Sequence, residues 1–126
     1  MKRLWLPLLM SPLSAQSCVV ASMSDVEFNY FRMEVASQSI ESSRIALIRS
    51  VIPEHCISLA QLRDLLWTLD HESSRVEVLK FAADRVYNPN RLHEELLPLF
   101  TTEGGRKEFE RWWEKWEKTR SSKRNK

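Results

Sequence analysis

The segment Glu41-Ser42-Ser43-Arg44-Ile45 recurs 31 residues later in the chain as Glu72-Ser73-Ser74-Arg75-Val76. The agreement continues downstream, where apolar residues match apolar residues at the same offset, as Leu65 does with Leu96. A weaker third copy begins at Glu103. Self-similarity at a fixed period is typical of supersecondary units that cannot bury their apolar faces alone. We therefore expect successive helical hairpins to stack into one compact array.

Each copy has the sequence pattern of two short helices. Several serines are expected to cap these helices through their hydroxyl oxygens, namely Ser42 or Ser43, Ser73 or Ser74, and Ser58. Ser58 with Gln61, and Ser74 with Glu77, also have the spacing of a capping box. The residue before a proline avoids the α conformation, so one helix is expected to end near Pro53.

The sequence thus predicts an all-α fold, a compact array of five to six short helices in stacked hairpins with a period of about 31 residues. The expected helices lie near residues 25–38, 43–52, 59–69, 74–87, 90–97 and 104–118. The first of them is ambiguous, because Val26, Phe28 and Tyr30 also alternate as the residues of a strand would.

Two of the predicted helices differ in how far apolar residues extend around them. On helix 74–87 the apolar residues cover about two-thirds of the circumference, so neighbouring helices should cover it on more than one side. On helix 104–118 the aromatic residues fall within an arc of about 100°; they are Phe109, Trp112, Trp113 and Trp116. That helix is expected to lie on the outside with its aromatic face against the core.

The composition excludes several classes of fold and function. The chain has 126 residues, which is enough for one domain. It has only 2 Gly, where average usage would give about nine. This argues against phosphate-binding glycine loops and against β folds rich in tight hairpins. No stretch approaches the roughly 20 consecutive apolar residues of a membrane-spanning helix.

The two ends differ in composition from the middle, which divides the chain into a leader (1–22), a helical repeat domain (24–118) and a tail (119–126). Basic residues, an apolar run and small residues at possible cleavage positions make the leader either a signal peptide or an unstructured segment. The protein would be secreted or periplasmic if residues 1–21 are a signal peptide, and cytoplasmic otherwise. In both interpretations the leader lies outside the fold. The tail is basic and lacks apolar residues, so it is predicted to be disordered.

Residues that could carry metal or nucleophilic chemistry are few and poorly spaced. Cys18 and Cys56 form neither a metal motif nor a disulfide-dense scaffold, and Cys56 is predicted to be a buried thiol. His93 begins like a zinc-protease helix motif, but Leu97 stands where its second histidine is required. We therefore predict no catalytic residue, no metal site and no cofactor, and the domain is expected not to be an enzyme.

Four residues are candidates for contact with a partner: Trp67, Arg63, Arg44 and Arg75. Trp67 projects away from the apolar stripe of helix 59–69, beside Arg63, as an interface hot spot would. The alternative is that a neighbouring helix covers it. Arg44 and Arg75 occupy equivalent positions and could clamp an anionic partner. Their alternative role is to pair with nearby acidic residues and to cover apolar surface with their stems.

The segments from Ile57 to Leu62 and from Leu69 to Lys80 resemble a known domain family of unknown function. In that family, a helix begins with the pattern Thr or Ser, any two residues, Gln and a hydrophobic residue. A second pattern follows it, which reads Phe-Asp, any two residues, Arg-Leu, an aliphatic residue and Ala-Lys. Two insertions, His71 and Glu72, and Phe81 after the lysine depart from this pattern.

The resemblance covers about residues 25–116. The family is found in bacteria, many of them Bacteroidetes, and in some animal proteins. The resemblance implies an all-helical domain with no established activity, and it adds no catalytic residue.

The functional prediction is a helical protein-interaction module that binds an unknown protein partner. One alternative is a binder of nucleic acid or of an anionic surface through the basic tail, although the body of the chain carries no basic stripe for nucleic acid. Another alternative is a small-molecule-binding protein or an enzyme with a pocket between hairpins, formed around His55, Cys56 or His93.

Overall fold

The computed structural model describes the backbone of residues 18–124, so most of the predicted leader lies outside the described residues. Within residues 18–124 there are six α-helices and no β-strands, and the predicted all-α fold is confirmed. The helices are α1 (Asp25–Ala36), α2 (Glu41–Val51), α3 (Leu59–Trp67), α4 (Glu72–Ala82), α5 (Leu92–Leu96) and α6 (Glu103–Arg124). None of these helices is both long enough and apolar enough to cross a membrane.

The helices pack in two layers. Helices α1, α3 and α5 are neighbours in one layer, and α2, α4 and α6 are neighbours in the other. Helix α4 contacts α2, α3 and α6. It therefore buries Val76, Val78, Leu79 and Ala82, as the broad apolar surface of this segment predicted.

Helix α1 resolves the ambiguity of the first segment in favour of a helix. Ser24 and Glu27 form a capping box, in which each side chain bonds the backbone N–H of the other residue. The helix buries Phe28, Phe31 and Val35, which are spaced three and four residues apart and share one face.

The predicted capping of the other helices is partly right. The capping box of Ser58 and Gln61 at the start of α3 is confirmed. The serine caps of α2 and α4 are wrong, because the N-cap residues are Ile40 and His71, without a side-chain cap bond. The predicted capping box of Ser74 and Glu77 is wrong for the same reason.

Each of these two helices begins with an acidic residue and has no capping serine. Glu41 and Glu72 occupy the first helical position, where a negative charge interacts favourably with the helix dipole.

Two α-helices are shorter than the predicted helices 74–87 and 90–97. Helix α4 ends at Ala82 and continues as a 3-10 turn over Ala83–Arg85. The chain then extends, because Val86 pairs with Ile57 in an isolated parallel bridge. Helix α5 is flanked by 3-10 turns over Pro89–Arg91 and Leu97–Leu99, each with a proline in its first positions.

A disulfide bond joins Cys18 to Cys56, so the prediction that Cys56 is a free buried thiol is wrong. The segment 18–22 also contacts the fold through Ser22, whose N–H donates to the Cys56 carbonyl at 2.9 Å. The Cys56 N–H donates to Ser22 Oγ at 2.8 Å. Residues 18–22 therefore belong to the folded unit, whereas the sequence placed them in the leader.

The last helix continues through residues 119–124, where the composition predicted a disordered tail. Thr119 Oγ1 donates to the Lys115 carbonyl at 3.0 Å. The Arg120 guanidinium lies 4.9 Å from the centre of the Trp116 ring. These contacts with the preceding turn extend the helix beyond the aromatic residues that bind it to the core.

Gly105 is required by the close approach of α6 to α4. A Cβ atom at this position would lie 2.8 Å from Glu72 Cβ and 2.8 Å from Thr102 Oγ1, whereas a Cβ at Gly104 would meet no atom within 4 Å. Gly105→Ala is expected to lower the free energy of unfolding by about 1–3 kcal/mol. Gly104→Ala, the matched control, should raise it by up to about 1 kcal/mol. Urea denaturation of both variants tests this, and equal stabilities would contradict it.

Candidate functional site

The guanidinium group of Arg75 holds two helix ends together. Its Nε donates to the carbonyls of Leu66 and Leu69 at 3.1 and 3.2 Å, and its Nη2 donates to Leu69 at 2.7 Å. Its Nη1 donates to the Leu99 carbonyl at 2.6 Å. The first two carbonyls lie at the end of α3 and the third follows α5. Arg75 therefore joins neighbouring helices of one layer.

Arg44 makes equivalent contacts with the preceding pair of helices in this layer, at the ends of α1 and α3. Its Nε donates to the Gln38 carbonyl at 2.7 Å, and its Nη1 donates to the Thr68 carbonyl at 2.5 Å. Gln38 and Thr68 each precede their counterparts at Arg75 by 31 residues. Arg44 also lies 4.0 Å from the exposed Asp70 carboxylate. Both arginines thus direct their donors into the fold, mainly toward main-chain carbonyls.

Glu41 and Glu72 make the complementary contacts with main-chain N–H groups. Glu41 accepts hydrogen bonds from the N–H groups of Asp70 and His71, both at 2.9 Å. Glu72 accepts hydrogen bonds from Thr101 and Thr102, through their N–H groups and their hydroxyls. Partial burial of each carboxylate raises its pKa, but these hydrogen bonds lower it by more, so both pKa values lie below their ordinary value of 4.5.

These lowered pKa values make stability depend on pH. A carboxylate whose pKa is lower in the folded state stabilises the fold above pH 4.5, and this contribution is lost as the pH falls through the folded-state value. Glu72→Gln is expected to flatten the decline of stability that begins as the pH falls below 4.5. Glu94→Gln, at an exposed position, should leave the decline unchanged. Urea denaturation at a series of acidic pH values measures the slope, and parallel slopes for the wild type and Glu72→Gln would contradict this.

Trp67 is exposed, with 67% of its surface accessible. The alternative prediction, that a neighbouring helix covers Trp67, is therefore wrong. The Arg75 guanidinium lies 5.3 Å from the centre of the indole ring, within cation–π distance. Arg63, on the preceding turn, pairs with Glu95 of α5 at 2.9 Å. Trp67 therefore presents its outer surface to solvent, while the arginines around it bond to the fold.

His93 and His55 lie in different parts of the fold, and each contacts neighbouring side chains. His93 Nε2 is 2.8 Å from Glu110 Oε1, and its ring stacks on Phe109 at a centroid distance of 5.3 Å. His55 Nδ1 lies 3.3 Å from Ser22 Oγ. Within residues 18–124, no group of three or more His, Cys, Asp or Glu side chains is arranged to hold a metal ion.

A long groove between α4 and α6 is the candidate functional site. Three adjoining depressions share residues and form it; the central one is lined by Val76, Lys80, Glu108, Arg111, Trp112 and Lys115. One end continues to Asp84, Trp116 and Arg120. The other end reaches Ile45 on α2. We call this surface the α4–α6 groove.

Aromatic rings connect the α4–α6 groove to the core. Phe100 and Phe109 are fully buried and stack at 4.5 Å, and Phe109 stacks on Trp112 at 5.9 Å. Trp112 stacks on Trp116 at 5.6 Å. Both tryptophans are only partly buried, so each has one surface on the core and another in the groove. The prediction that this aromatic face packs on the core agrees with these contacts. It did not include the parts of Trp112 and Trp116 that remain exposed in the groove.

The α4–α6 groove is lined by four basic and three acidic side chains. Its basic residues are Lys80, Arg111, Lys115 and Arg120. Two of its acidic residues are engaged by neighbours, because Asp84 accepts a hydrogen bond from Trp116 Nε1 at 2.8 Å and Glu77 pairs with Arg49 at 3.2 Å. The remaining acidic residue is Glu108. The groove therefore offers apolar aromatic surface with basic groups beside it.

Sequence reasoning missed the α4–α6 groove because its two walls come from helices about thirty residues apart. The one local signal was the spacing of Arg111 and Lys115, which places two basic groups on one face of α6. Lys80 and Asp84 have the same spacing on α4 and the turn after it.

A family model described as a domain of unknown function, DUF4476, matches residues 22–113. The match covers most of the chain, and the protein belongs to this family. No curated protein matches the chain. No solved structure matches it either.

Proposed function

We propose that this domain is a non-enzymatic protein-interaction module that binds an acidic, partly apolar segment of a partner protein in the α4–α6 groove. The observation that carries the proposal is the pairing of Trp112 and Trp116 with four basic side chains in one groove. Tryptophan, tyrosine and arginine are the residues enriched among those that dominate binding energy at protein interfaces. Basic groups along the rim would attract carboxylates and orient them.

An acidic peptide fits the α4–α6 groove better than a nucleic acid does. A nucleic acid has a phosphate at every nucleotide, so it would place like charges against Glu108 and Asp84 along the groove. A peptide can space its carboxylates to meet Lys80 and Lys115 and can direct apolar side chains at the tryptophans. Trp116 already stacks on Trp112 at 5.6 Å and Arg120 packs over its ring at 4.9 Å, which leaves less of the ring face for stacking with a base.

The basic C-terminal residues add to this surface. Arg120 lies in the α4–α6 groove and packs over Trp116, so the segment predicted as a separate tail begins as part of the proposed site. Binding of an anionic partner through this segment alone is the competing function, and it would leave binding unchanged in the double variant Lys80→Glu, Lys115→Glu.

The experiment is a calorimetric titration of the full chain with two short synthetic peptides, one of Glu and Leu and the other with Lys in place of each Glu. The Glu/Leu peptide is expected to bind and the Lys/Leu peptide is not. The double variant Lys80→Glu, Lys115→Glu should weaken binding of the Glu/Leu peptide at least roughly tenfold. The control variant Lys107→Glu, Lys118→Glu changes the net charge of the protein by the same amount, but both of its positions lie on α6 outside the groove. It should change binding less than about twofold.

Three other outcomes would overturn the proposal. Equal loss in both double variants would show that only net charge matters. Loss of binding in Trp67→Ala, with the groove variants unaffected, would move the site to the exposed surface beside Arg63. Stronger binding of a single-stranded oligothymidine than of the Glu/Leu peptide, falling steeply with salt, would identify a nucleic-acid binder.

A further inference from the structure

The disulfide between Cys18 and Cys56 lies beside a buried cation. Arg85 is only 7% exposed, and its Nη2 lies 3.5 Å from Cys56 Sγ. Its Nε donates to the His55 carbonyl at 2.9 Å, which holds the guanidinium against this turn. Ile57, on the other side of Cys56, donates its N–H to the Arg85 carbonyl at 2.8 Å. The position of Arg85 relative to the Cys56 sulfur is therefore determined from both sides of the turn.

The two sulfurs of the disulfide are not equivalent in this environment. A guanidinium near a sulfur stabilises its thiolate form, and Arg85 lies within hydrogen-bond distance of the Cys56 sulfur. In thiol–disulfide exchange, the sulfur that is better stabilised as a thiolate leaves more readily, so the external thiolate forms its new bond with the other sulfur. The structure therefore favours Cys56 as the leaving group and Cys18 as the sulfur that is attacked.

We propose that Cys18 is a modification site for low-molecular-weight thiols, which form a mixed disulfide with it while Cys56 is released as a thiolate beside Arg85. In this step the external thiolate forms a bond to Cys18 Sγ, the Cys18–Cys56 bond breaks, and its electron pair stays on Cys56 Sγ. No external oxidant or reductant other than the thiol is needed, and no proton is transferred.

The exchange is reversible because the two cysteines stay close. The two hydrogen bonds between Ser22 and Cys56, from the Ser22 N–H to the Cys56 carbonyl and from the Cys56 N–H to Ser22 Oγ, do not depend on the disulfide. They keep the segment 18–22 beside the turn, so the Cys56 thiolate can displace the small thiol and restore the disulfide. The proposal is independent of the α4–α6 groove.

The first test treats the oxidised full chain briefly with reduced glutathione, blocks free thiols with N-ethylmaleimide and maps both groups by peptide mass spectrometry. Glutathione is expected on Cys18 and maleimide on Cys56 in most of the mixed product. The reverse assignment, or equal amounts on both cysteines, would overturn the proposal.

The second test measures the thiolate character of Cys56 directly in the Cys18→Ala variant. The rate of its alkylation by iodoacetamide is followed against pH. The midpoint is expected at least about one pH unit below 8.5, the ordinary pKa of a cysteine thiol. Arg85→Lys, which retains the charge, should keep a lowered midpoint, and Arg85→Met should raise it. A midpoint at or above 8.5 in the Cys18→Ala variant with Arg85 intact would overturn the proposal without reliance on any Arg85 variant.

Discussion

Replacing Cys18 and Cys56 together by serine should lower the free energy of unfolding by about 4 kcal/mol. The two cysteines are 38 residues apart in sequence. A cross-link that closes a loop of this length removes conformational entropy from the unfolded chain worth about that much in the chain-entropy model. The closed loop contains α1 and α2, so the effect should appear as a lower midpoint of one cooperative transition. Urea denaturation monitored by circular dichroism measures it.

The control for this prediction is the response of both proteins to a reductant. Dithiothreitol should bring the wild type close to the double variant and should leave the variant unchanged. A difference below about 1 kcal/mol between the oxidised wild type and the double variant would contradict the prediction, because the cross-link would then remove little entropy from the unfolded chain.

Arg75→Met should lower the free energy of unfolding by about 3 kcal/mol. The substitution keeps an apolar stem but removes the donors that bond to the carbonyls of Leu69 and Leu99. Hydrogen bonds from a charged donor contribute about 1.5–3 kcal/mol each, and the carbonyls left behind are partly buried. Arg91→Met is the matched control, because Arg91 is exposed and pairs with Glu94 on the same turn. It should change stability by less than about 0.5 kcal/mol.

The same pair of variants separates the two roles considered for Arg75. If the residue serves the fold, stability falls in Arg75→Met and not in Arg91→Met. If Arg75→Met kept wild-type stability but lost binding of the Glu/Leu peptide, its guanidinium would belong to a partner site instead. Arg44→Met should behave like Arg75→Met, since Arg44 bonds equivalent carbonyls of Gln38 and Thr68.

Local features of the fold could be predicted from the sequence. The capping box at Ser58 and Gln61 needs only residues three positions apart, and the structure has it. The broad apolar surface of the segment around Val78 placed α4 between several neighbours, because the pattern of residues on one helix sets how much of it must be covered. The aromatic arc of α6 likewise predicted which face meets the core.

Features that depend on two distant segments could not be predicted. The serine caps of α2 and α4 were wrong because Glu41 and Glu72 begin these helices and bond to turns about thirty residues further on. The disulfide was missed because the spacing of Cys18 and Cys56 carries no information about their distance in space. The α4–α6 groove was missed because its basic residues stand on separate helices.

The sequence by itself determined the all-α class and the faces of the helices that enter the core, because helix periodicity acts over one or two turns. The match of residues 22–113 to the family model also rests on the sequence alone. The tertiary structure alone decided the roles of the repeated arginines, the pairing of Cys18 with Cys56, the exposure of Trp67 and the assembly of the α4–α6 groove. Each of these depends on the distance between groups that the chain brings together only when its two layers pack.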